Sequence, residues 1–156
     1  MARSRPPRPA GAAAATLTAL LDTHLLLWIV LGSRRLAAFP WLDRYRPWTV
    51  SPVSLLEVAF LSEIGRFELK SPEFFDTVQD DSRFIMDEVP LVLLVRHAIR
   101  EGWTRDPFDR LLAGHSAARR LPLVTADETI LSNYPLVVRE LRAAPEGARR
   151  SPRAHS

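Results

Sequence analysis

The sequence predicts an α/β fold, a three-layer α/β/α sandwich with a mainly parallel central sheet. Short runs of residues that are apolar throughout alternate along the chain with longer segments of helical character. Strands without a polar face are typical of a sheet that crossover helices cover on both sides. The 156 residues, 47% hydrophobic and 25% charged, are enough for one such domain.

The predicted strands and helices alternate in chain order. The strands occupy residues 17–21, 48–51, 84–86, 121–125 and 136–138. The helices occupy residues 23–31, the segment from Pro52 or Ser54 to Gly65, and residues 72–81, 91–100, 106–119 and 128–132. Gly32 and Gly65 suit helix C-caps, and Pro52 suits a first helical turn.

The domain is predicted to span residues 16–141, between two basic tails. Residues 1–15 and 142–156 are rich in Pro, Ala, Arg and Ser and have no periodic apolar face. Because such segments cannot offset their ordering entropy by burial, both are predicted to be disordered. Each tail has an excess of three positive charges, so the body is mildly acidic although the chain carries +3. The total charge therefore does not by itself indicate a nucleic-acid partner.

The first strand and helix also resemble a signal peptide or a membrane anchor, because basic residues precede the stretch LTALLDTHLLLWIVL. Asp22 and His24 lie in its middle, and an aspartate at mid-membrane costs about 2.5–3.5 kcal/mol on insertion scales. A buried strand followed by a helix is the preferred interpretation. Without cysteines there are no disulfides or thiolate metal sites, and a cytoplasmic protein with no membrane attachment is expected.

Glu57 lies within an apolar stripe of its predicted helix. Its neighbours at helical spacings are Val53, Ser54, Phe60, Leu61 and Ile64. Burying an ionised carboxylate costs several kcal/mol unless a partner compensates. That partner could be an arginine across the core, or Glu57 could lie at the edge of the stripe.

Four aspartates lie at predicted helix starts. Asp106 precedes Pro107, a pattern typical of an N-cap and first turn, and a structural role is preferred there. Asp109 could complete a capping box. Asp22 and Asp127 each follow a strand, where an N-cap is needed. Each aspartate taken alone therefore has a sufficient structural explanation.

Taken together, four of the acids predict a metal site. In an open parallel sheet, the carboxyl ends of the strands and the following helix starts lie along one edge. Asp22, Glu57, Asp109 and Asp127 are expected to meet there and to raise one another's pKa unless a cation neutralises them. Oxygen ligands without His or Cys favour Mg²⁺ or Mn²⁺. Such a site would hydrolyse a nucleic-acid phosphodiester with a metal-activated water.

Hydroxyl groups and a histidine near the same edge are secondary candidates. Thr125 could hold a water or orient a ligand, and so could Ser51 or Ser54, although hydroxyls near strand ends are also common cap residues. His24 follows Asp22 by two residues. A lone histidine in an apolar segment is often simply packed.

Four stretches occur in the order LLDTHLLLW, SPVSLLEVAFLSEIGRFEL, RDPFDRLLAGHSAARRLPLVTAD and ILSNYPLVV. Over roughly residues 17–138 they resemble a PIN-domain protein of the VapC toxin type. The resemblance implies a magnesium-dependent endoribonuclease of a toxin–antitoxin pair, inhibited by a cognate antitoxin and commonly dimeric. It also implies metal-binding roles for Asp22, Glu57, Asp109 and Asp127. Asp106 belongs to the DPFDR motif and is interpreted as support for the helix start.

Two positions depart from this pattern. Relatives often carry a lysine where this sequence has Leu61, and a histidine where it has Thr104. Neither position is a metal ligand, so the departures concern substrate handling. Because the body is acidic, phosphate affinity is expected from the tails or from local arginines, for which the candidates are Arg66, Arg105 and Arg110.

Two other functions stay open from the sequence. The first is a catalytically inactive PIN-like module that binds RNA or a protein, for which RNA binding would persist with Mg²⁺ without products. The second is phosphoryl transfer through Asp22, as in phosphatases or receiver domains. The sequence disfavours it, because His24 stands where a phosphatase has its second acid and no lysine stands at a late strand end.

Overall fold

The computed structural model describes residues 16–69 and 71–140, so the two tails predicted to be disordered lie outside the described residues. The strands within those ranges are β1 (Leu20–Leu21), β2 (Trp48–Val50), β3 (Phe84–Met86) and β4 (Leu123–Val124). The α-helices are α1 (Thr23–Leu31), α2 (Pro52–Glu63), α3 (Ser71–Asp80), α4 (Leu91–Ile99), α5 (Pro107–Arg119) and α6 (Glu128–Asn133). Two short 3₁₀ helices, Arg34–Ala38 and Leu42–Tyr45, connect α1 to β2.

The four strands form one parallel sheet in the order β3-β2-β1-β4. Leu20 pairs with Thr49 on one side and with Leu123 on the other. Leu20 and Leu21 point to opposite faces and enter two different apolar clusters, because successive side chains of a strand alternate. The sheet is therefore buried on both faces, and the predicted three-layer α/β/α class is confirmed.

The strands are shorter than the sequence predicts. The predicted strand over residues 121–125 begins only at Leu123, because Pro122 has no N–H to donate to a ladder. The predicted strand over residues 136–138 is wrong, since an isolated parallel bridge between Val137 and Leu123 replaces it. With only two residues in β4, little edge is available for a longer pairing.

The larger apolar cluster joins the sheet to α1, α2, α3 and the connection between α1 and β2. Leu25, Leu26 and Leu27 of α1 are fully buried, so this helix packs almost all round. The smaller cluster on the other face consists of Leu20, Leu112, Ala113, Leu123, Ile130, Tyr134 and Val137. Within the described ranges no helix is both long and apolar enough to cross a membrane.

Two glycines explain local geometry around these helices. Gly32 has a left-handed backbone with φ of 62° and caps α1, as predicted. Gly114 lies where α5 packs on α4, and a Cβ there would be 2.8 Å from the backbone nitrogen of Ala98. The close approach of the two helices therefore requires glycine at this position.

Candidate active site

The four acids predicted to meet do lie along one edge of the sheet. Asp22 joins β1 to α1, Asp127 joins β4 to α6, and Glu57 lies in the second turn of the helix that follows β2. Asp109 is in the first turn of α5. The charges of Asp22, Asp127 and Glu57 all raise the pKa of Asp109, as does that of Asp106. The carboxylates are therefore within electrostatic reach of one another.

Asp22 is almost completely buried, with 4% of its surface exposed. It occupies the N-cap position of α1, but its side chain makes no capping hydrogen bond. Instead, the Thr125 hydroxyl donates to its Oδ2 at 2.6 Å. Burial raises the pKa of Asp22, and the hydrogen bond from Thr125 opposes that rise. The helix-cap explanation for Asp22 is therefore wrong.

Glu57 is held by a hydroxyl rather than by a cation. The Thr23 Oγ1 donates to Glu57 Oε2 at 2.6 Å, and no arginine pairs with Glu57 in the described part of the chain. Burial raises the pKa of Glu57, the Thr23 hydrogen bond lowers it, and the charge of Asp22 raises it further. The explanation by a core salt bridge is therefore wrong.

The apolar stripe predicted around Glu57 is only partly buried. Phe60 and Ile64 are 44% and 53% exposed. The buried face of α2 instead consists of Ser54, Leu55 and Val58. Glu57 therefore lies at the edge of the buried face, as the second structural alternative predicted, with its carboxylate turned towards Thr23.

Of three acids at the helix starts, two cap their helix and the third does not. Asp106 caps α5 by accepting from the backbone N–H groups of Phe108 and Asp109 at 2.8 and 3.2 Å. Asp127 caps α6 in the same way through Thr129 and Ile130. Asp109 makes no capping-box bond, because the N–H of Asp106 donates to Thr104.

The pKa of Asp109 is shifted far above its ordinary value. Burial, followed by repulsion from the neighbouring acids, raises its pKa from 3.8 to about 7. A carboxyl group in this state costs the apoprotein stability near neutral pH. Protonation of Asp109 or a bound cation would remove this cost.

The donor set fits a hard divalent cation. The cluster offers only carboxylate and hydroxyl oxygens, which suit Mg²⁺ or Mn²⁺. Among residues 16–69 and 71–140, no three or more His, Cys, Asp or Glu side chains are already placed to hold a metal ion. The carboxylates would therefore have to turn towards a common ion.

The secondary candidates fall in different places. Thr125 contacts Asp22 directly. His24 is exposed, and its charge lowers the pKa of both Asp22 and Glu57, so it faces the acids. Ser54 is fully buried, and its hydroxyl has no hydrogen-bond partner among the described residues.

The three candidate arginines also lie in different environments. Arg66 is exposed and lines a cavity together with His24. The Arg110 Nε donates to the carbonyl oxygen of Thr104 at 2.7 Å, so this arginine holds the loop before α5. Arg105 is exposed beside Asp106.

The sequence did not point to Thr23 or to a buried histidine network. Thr23 immediately follows Asp22, and a hydroxyl beside a candidate ligand is the signal that could have identified it. His115 of α5 is 1% exposed and contacts Ser51 Oγ at 2.9 Å and Asp87 Oδ2 at 2.8 Å. Burial lowers the pKa of His115, while the Asp87 hydrogen bond opposes that change.

The chain matches one protein family over most of its length. The PIN domain family matches residues 19–135. No curated protein matches the chain. Solved structures with a similar fold include a toxin–antitoxin complex from Klebsiella pneumoniae, with a TM-score of 0.57 and 19% identity, which covers 78% of this chain and 97% of that one.

Two further structures show the same fold. PAE2754 from Pyrobaculum aerophilum has a TM-score of 0.54 and 20% identity, covering 81% of this chain and 91% of that one. The DNA-bound VapBC from Salmonella typhimurium has a TM-score of 0.51 and 22% identity, covering 78% and 96%. The family match and the parallel sheet with its acidic edge agree, and the chain belongs to the PIN domain family.

Proposed function

We propose that the protein is a Mg²⁺-dependent endoribonuclease and the toxin of a toxin–antitoxin pair. The observation that carries the proposal is the position of four acids, Asp22, Glu57, Asp109 and Asp127, along one edge of the sheet. Burial, followed by repulsion from neighbouring acids, raises the pKa of Asp109 there to about 7. Members of the PIN domain family are generally nucleases. A cluster of carboxylates that can bind a divalent cation is what such a reaction requires.

The four carboxylates would hold Mg²⁺ or Mn²⁺, which when bound polarises a phosphate and lowers the pKa of water. Thr125 and Thr23 keep Asp22 and Glu57 in fixed positions through hydrogen bonds of 2.6 Å. Asp109 must lose its proton to become a ligand, and its pKa is about 7. Metal binding therefore competes with a proton, and activity should rise with pH through neutrality.

The partners follow from the same proposal. The solved structures from Klebsiella pneumoniae and Salmonella typhimurium are described as a toxin–antitoxin complex and as VapBC, which supports a cognate antitoxin for this chain. An RNA substrate, a homodimer and a cytoplasmic location stay predictions. Light scattering on the purified protein would measure the oligomeric state.

The decisive experiment incubates the purified protein with end-labelled cellular RNA in Mg²⁺, in EDTA, and as the Asp109→Asn variant. Discrete cuts are expected in Mg²⁺ only, because both controls remove the metal or one of its ligands. Asp76→Asn, an exposed acid of α3, is the matched control and should cut normally. RNA that stays intact across a range of Mg²⁺ and Mn²⁺ concentrations would contradict the nuclease.

One observation favours an alternative, a binding module without turnover. The described acids are not already placed around a common ion. An inactive module would bind RNA equally well in Mg²⁺ and in EDTA and would never release products. Phosphoryl transfer through Asp22 is disfavoured, because an aspartate with 4% exposure is poorly accessible to a phosphate ester.

A further inference from the structure

A cleft beside the acidic edge has walls of a different chemical character. We call it the arginine cleft, and its lining residues include His24, Trp28, Arg35, Arg66 and Phe67. Its volume is about 430 Å³, within the range of pockets that hold small ligands. His24 lines the cleft and lies in the first turn of α1, two residues after Asp22. The cleft therefore lies next to the acidic edge.

The arginine cleft combines cations with aromatic rings. The guanidinium carbon of Arg35 lies 5.4 Å from the centre of the Trp28 ring. The His24 and Trp28 rings meet edge to face, with centroids 6.5 Å apart. Arg66 is exposed, and none of the ion pairs found among the described residues includes it. None of the described lining residues is acidic.

Two other cavities differ from the arginine cleft in charge. A cavity of about 590 Å³ beside Thr125 is lined by Glu128 and Glu140 as well as Arg139. A cavity of about 410 Å³ at Ser51 is mainly apolar and has Glu88 in its wall. Both of these cavities have carboxylates in their walls, whereas the described lining of the arginine cleft presents two guanidinium groups and an imidazole and contains no carboxylate.

Single-stranded RNA is the ligand whose chemistry matches these walls. Arginine forks bind phosphate oxygens, and aromatic faces stack with bases of any sequence. Since the chain body is mildly acidic, phosphate affinity has to come from local cations such as these. We propose that the arginine cleft binds a nucleotide of single-stranded RNA next to the scissile phosphate, with its phosphate on Arg35 and Arg66 and its base against Trp28. Naming RNA as the ligand rests on the proposed function.

The test measures binding separately from cleavage. Fluorescein-labelled oligoadenylate is titrated, in EDTA and at several salt concentrations, into the Asp109→Asn protein and into the same protein carrying Arg35→Ala and Arg66→Ala. Loss of two phosphate contacts should weaken binding at least tenfold at low salt and reduce the salt slope by about 1.4. The matched control carries Arg96→Ala and Arg100→Ala, an exposed arginine of α4 and the exposed arginine at its C-cap, with the same total charge change. It should bind as the parent protein does.

Stacking has its own readout. Oligoadenylate should quench tryptophan fluorescence in the parent protein, and Trp28→Phe should remove that quenching while the other three tryptophans remain. Phenylalanine keeps an aromatic ring against Phe39, which lies 6.2 Å away, so the fold should be retained. Thermal unfolding of the variant checks this directly.

Each outcome separates this inference from the proposed function. RNA that is cut by the wild type but bound equally by the Arg35/Arg66 and Arg96/Arg100 variants would overturn the arginine cleft and leave the nuclease intact. RNA that is bound through the cleft but never cut would support the cleft and refute the nuclease. If the Arg35/Arg66 variant binds RNA normally but loses its cognate antitoxin, the cleft is a protein-docking site and the inference is wrong.

Discussion

Two parts of this molecule bury carboxylates in opposite ways. In the first, Asp87 accepts hydrogen bonds from His115 at 2.8 Å and from Arg119 at 2.9 Å, while the other ring nitrogen of His115 meets Ser51. In the second, Asp22 is buried with the Thr125 hydroxyl as its side-chain hydrogen-bond donor, and its charge is among those that raise the pKa of Asp109. The carboxylate of Asp87 therefore has a hydrogen-bonded cation beside it, whereas the side-chain partner of Asp22 is a neutral hydroxyl.

The difference indicates which site is built for stability and which for binding. A carboxylate with an arginine and a histidine beside it recovers much of its desolvation cost within the fold. The acidic edge leaves that cost uncompensated, so it lowers the stability of the apoprotein and favours a cation. Substitutions in the two regions should therefore have opposite effects on folding.

Breaking the satisfied network should give the largest effect on stability. His115→Leu leaves the Ser51 hydroxyl and one side of Asp87 without a buried partner, and should cost about 3 kcal/mol of unfolding free energy. Asp109→Asn in metal-free buffer should be neutral or stabilising, because it removes repulsion. Urea unfolding at pH 8 measures both changes.

His97→Leu, on the neighbouring α4, is the matched control and should change stability little. If His115→Leu and His97→Leu cost the same, the network contributes nothing specific to the fold. If Asp109→Asn is as destabilising as His115→Leu, the acidic edge is not strained, and the comparison between the two regions fails.

Changing pH should give the next largest effect. Asp109 has a pKa of about 7 in the folded protein against 3.8 ordinarily, so the folded state binds this proton more tightly. The stability of the apoprotein should therefore fall as pH rises from about 4 to 8, by about 1–2 kcal/mol once solvent screening of this partly buried group is allowed for. The measurement is the wild-type stability minus that of Asp109→Asn at each pH.

The subtraction matters because His115 titrates with the opposite sign. Its pKa is lowered by burial, so its contribution to stability is lost as pH falls.

Adding Mg²⁺ at a hundredfold excess over its Kd should restore about 2.7 kcal/mol of unfolding free energy at pH 8 and much less at pH 5. An equal effect of Mg²⁺ at both pH values would show that Asp109 is not a ligand.

The two regions also differ in how far the sequence predicted them. Asp22, Glu57, Asp109 and Asp127 could be placed on one edge because parallel topology fixes where strands end and helices begin. The hydrogen-bond partners of these acids could not be predicted, because Thr23 and Glu57, for example, are 34 residues apart in the sequence. Hydrogen bonds over such separations depend on side-chain packing that periodicity does not report.

Other features could not be predicted from the sequence, for similar reasons. The His115 network joins residues separated by 28 and 64 positions. The exposure of Phe60 and Ile64 was unexpected, because an apolar stripe does not say which part of it another element covers. The 3₁₀ helices Arg34–Ala38 and Leu42–Tyr45 lie in a segment without a helical or alternating pattern.

Removing a supporting hydroxyl should weaken the metal site about tenfold, a smaller effect than losing a ligand. Thr125→Val deletes the 2.6 Å hydrogen bond to Asp22, so the pKa of that carboxyl should rise further and its affinity for Mg²⁺ should fall. Thr125→Ser should retain most of the affinity. Isothermal titration with Mg²⁺ at pH 8 measures the change.

Thr129→Val, an exposed threonine of α6, is the control for β-branched substitution in this region. Thr23→Val should behave like Thr125→Val, because Thr23 holds Glu57 in the same manner. Mg²⁺ affinity that is unchanged in both valine variants would mean that the two hydroxyls serve the fold alone.

The smallest expected change in stability separates capping from catalysis at Asp127. Its carboxylate accepts two backbone hydrogen bonds at the start of α6, so Asp127→Ala should cost about 1 kcal/mol, whereas Asp127→Asn keeps the cap at little cost. Both variants should lose RNA cleavage, because neither supplies a charged ligand. Asp106→Asn, which preserves the cap of α5, should cut RNA at close to the wild-type rate if Asp106 is structural. Full cleavage by Asp127→Asn would instead make Asp127 a cap like Asp106 and reduce the metal ligands to Asp22, Glu57 and Asp109.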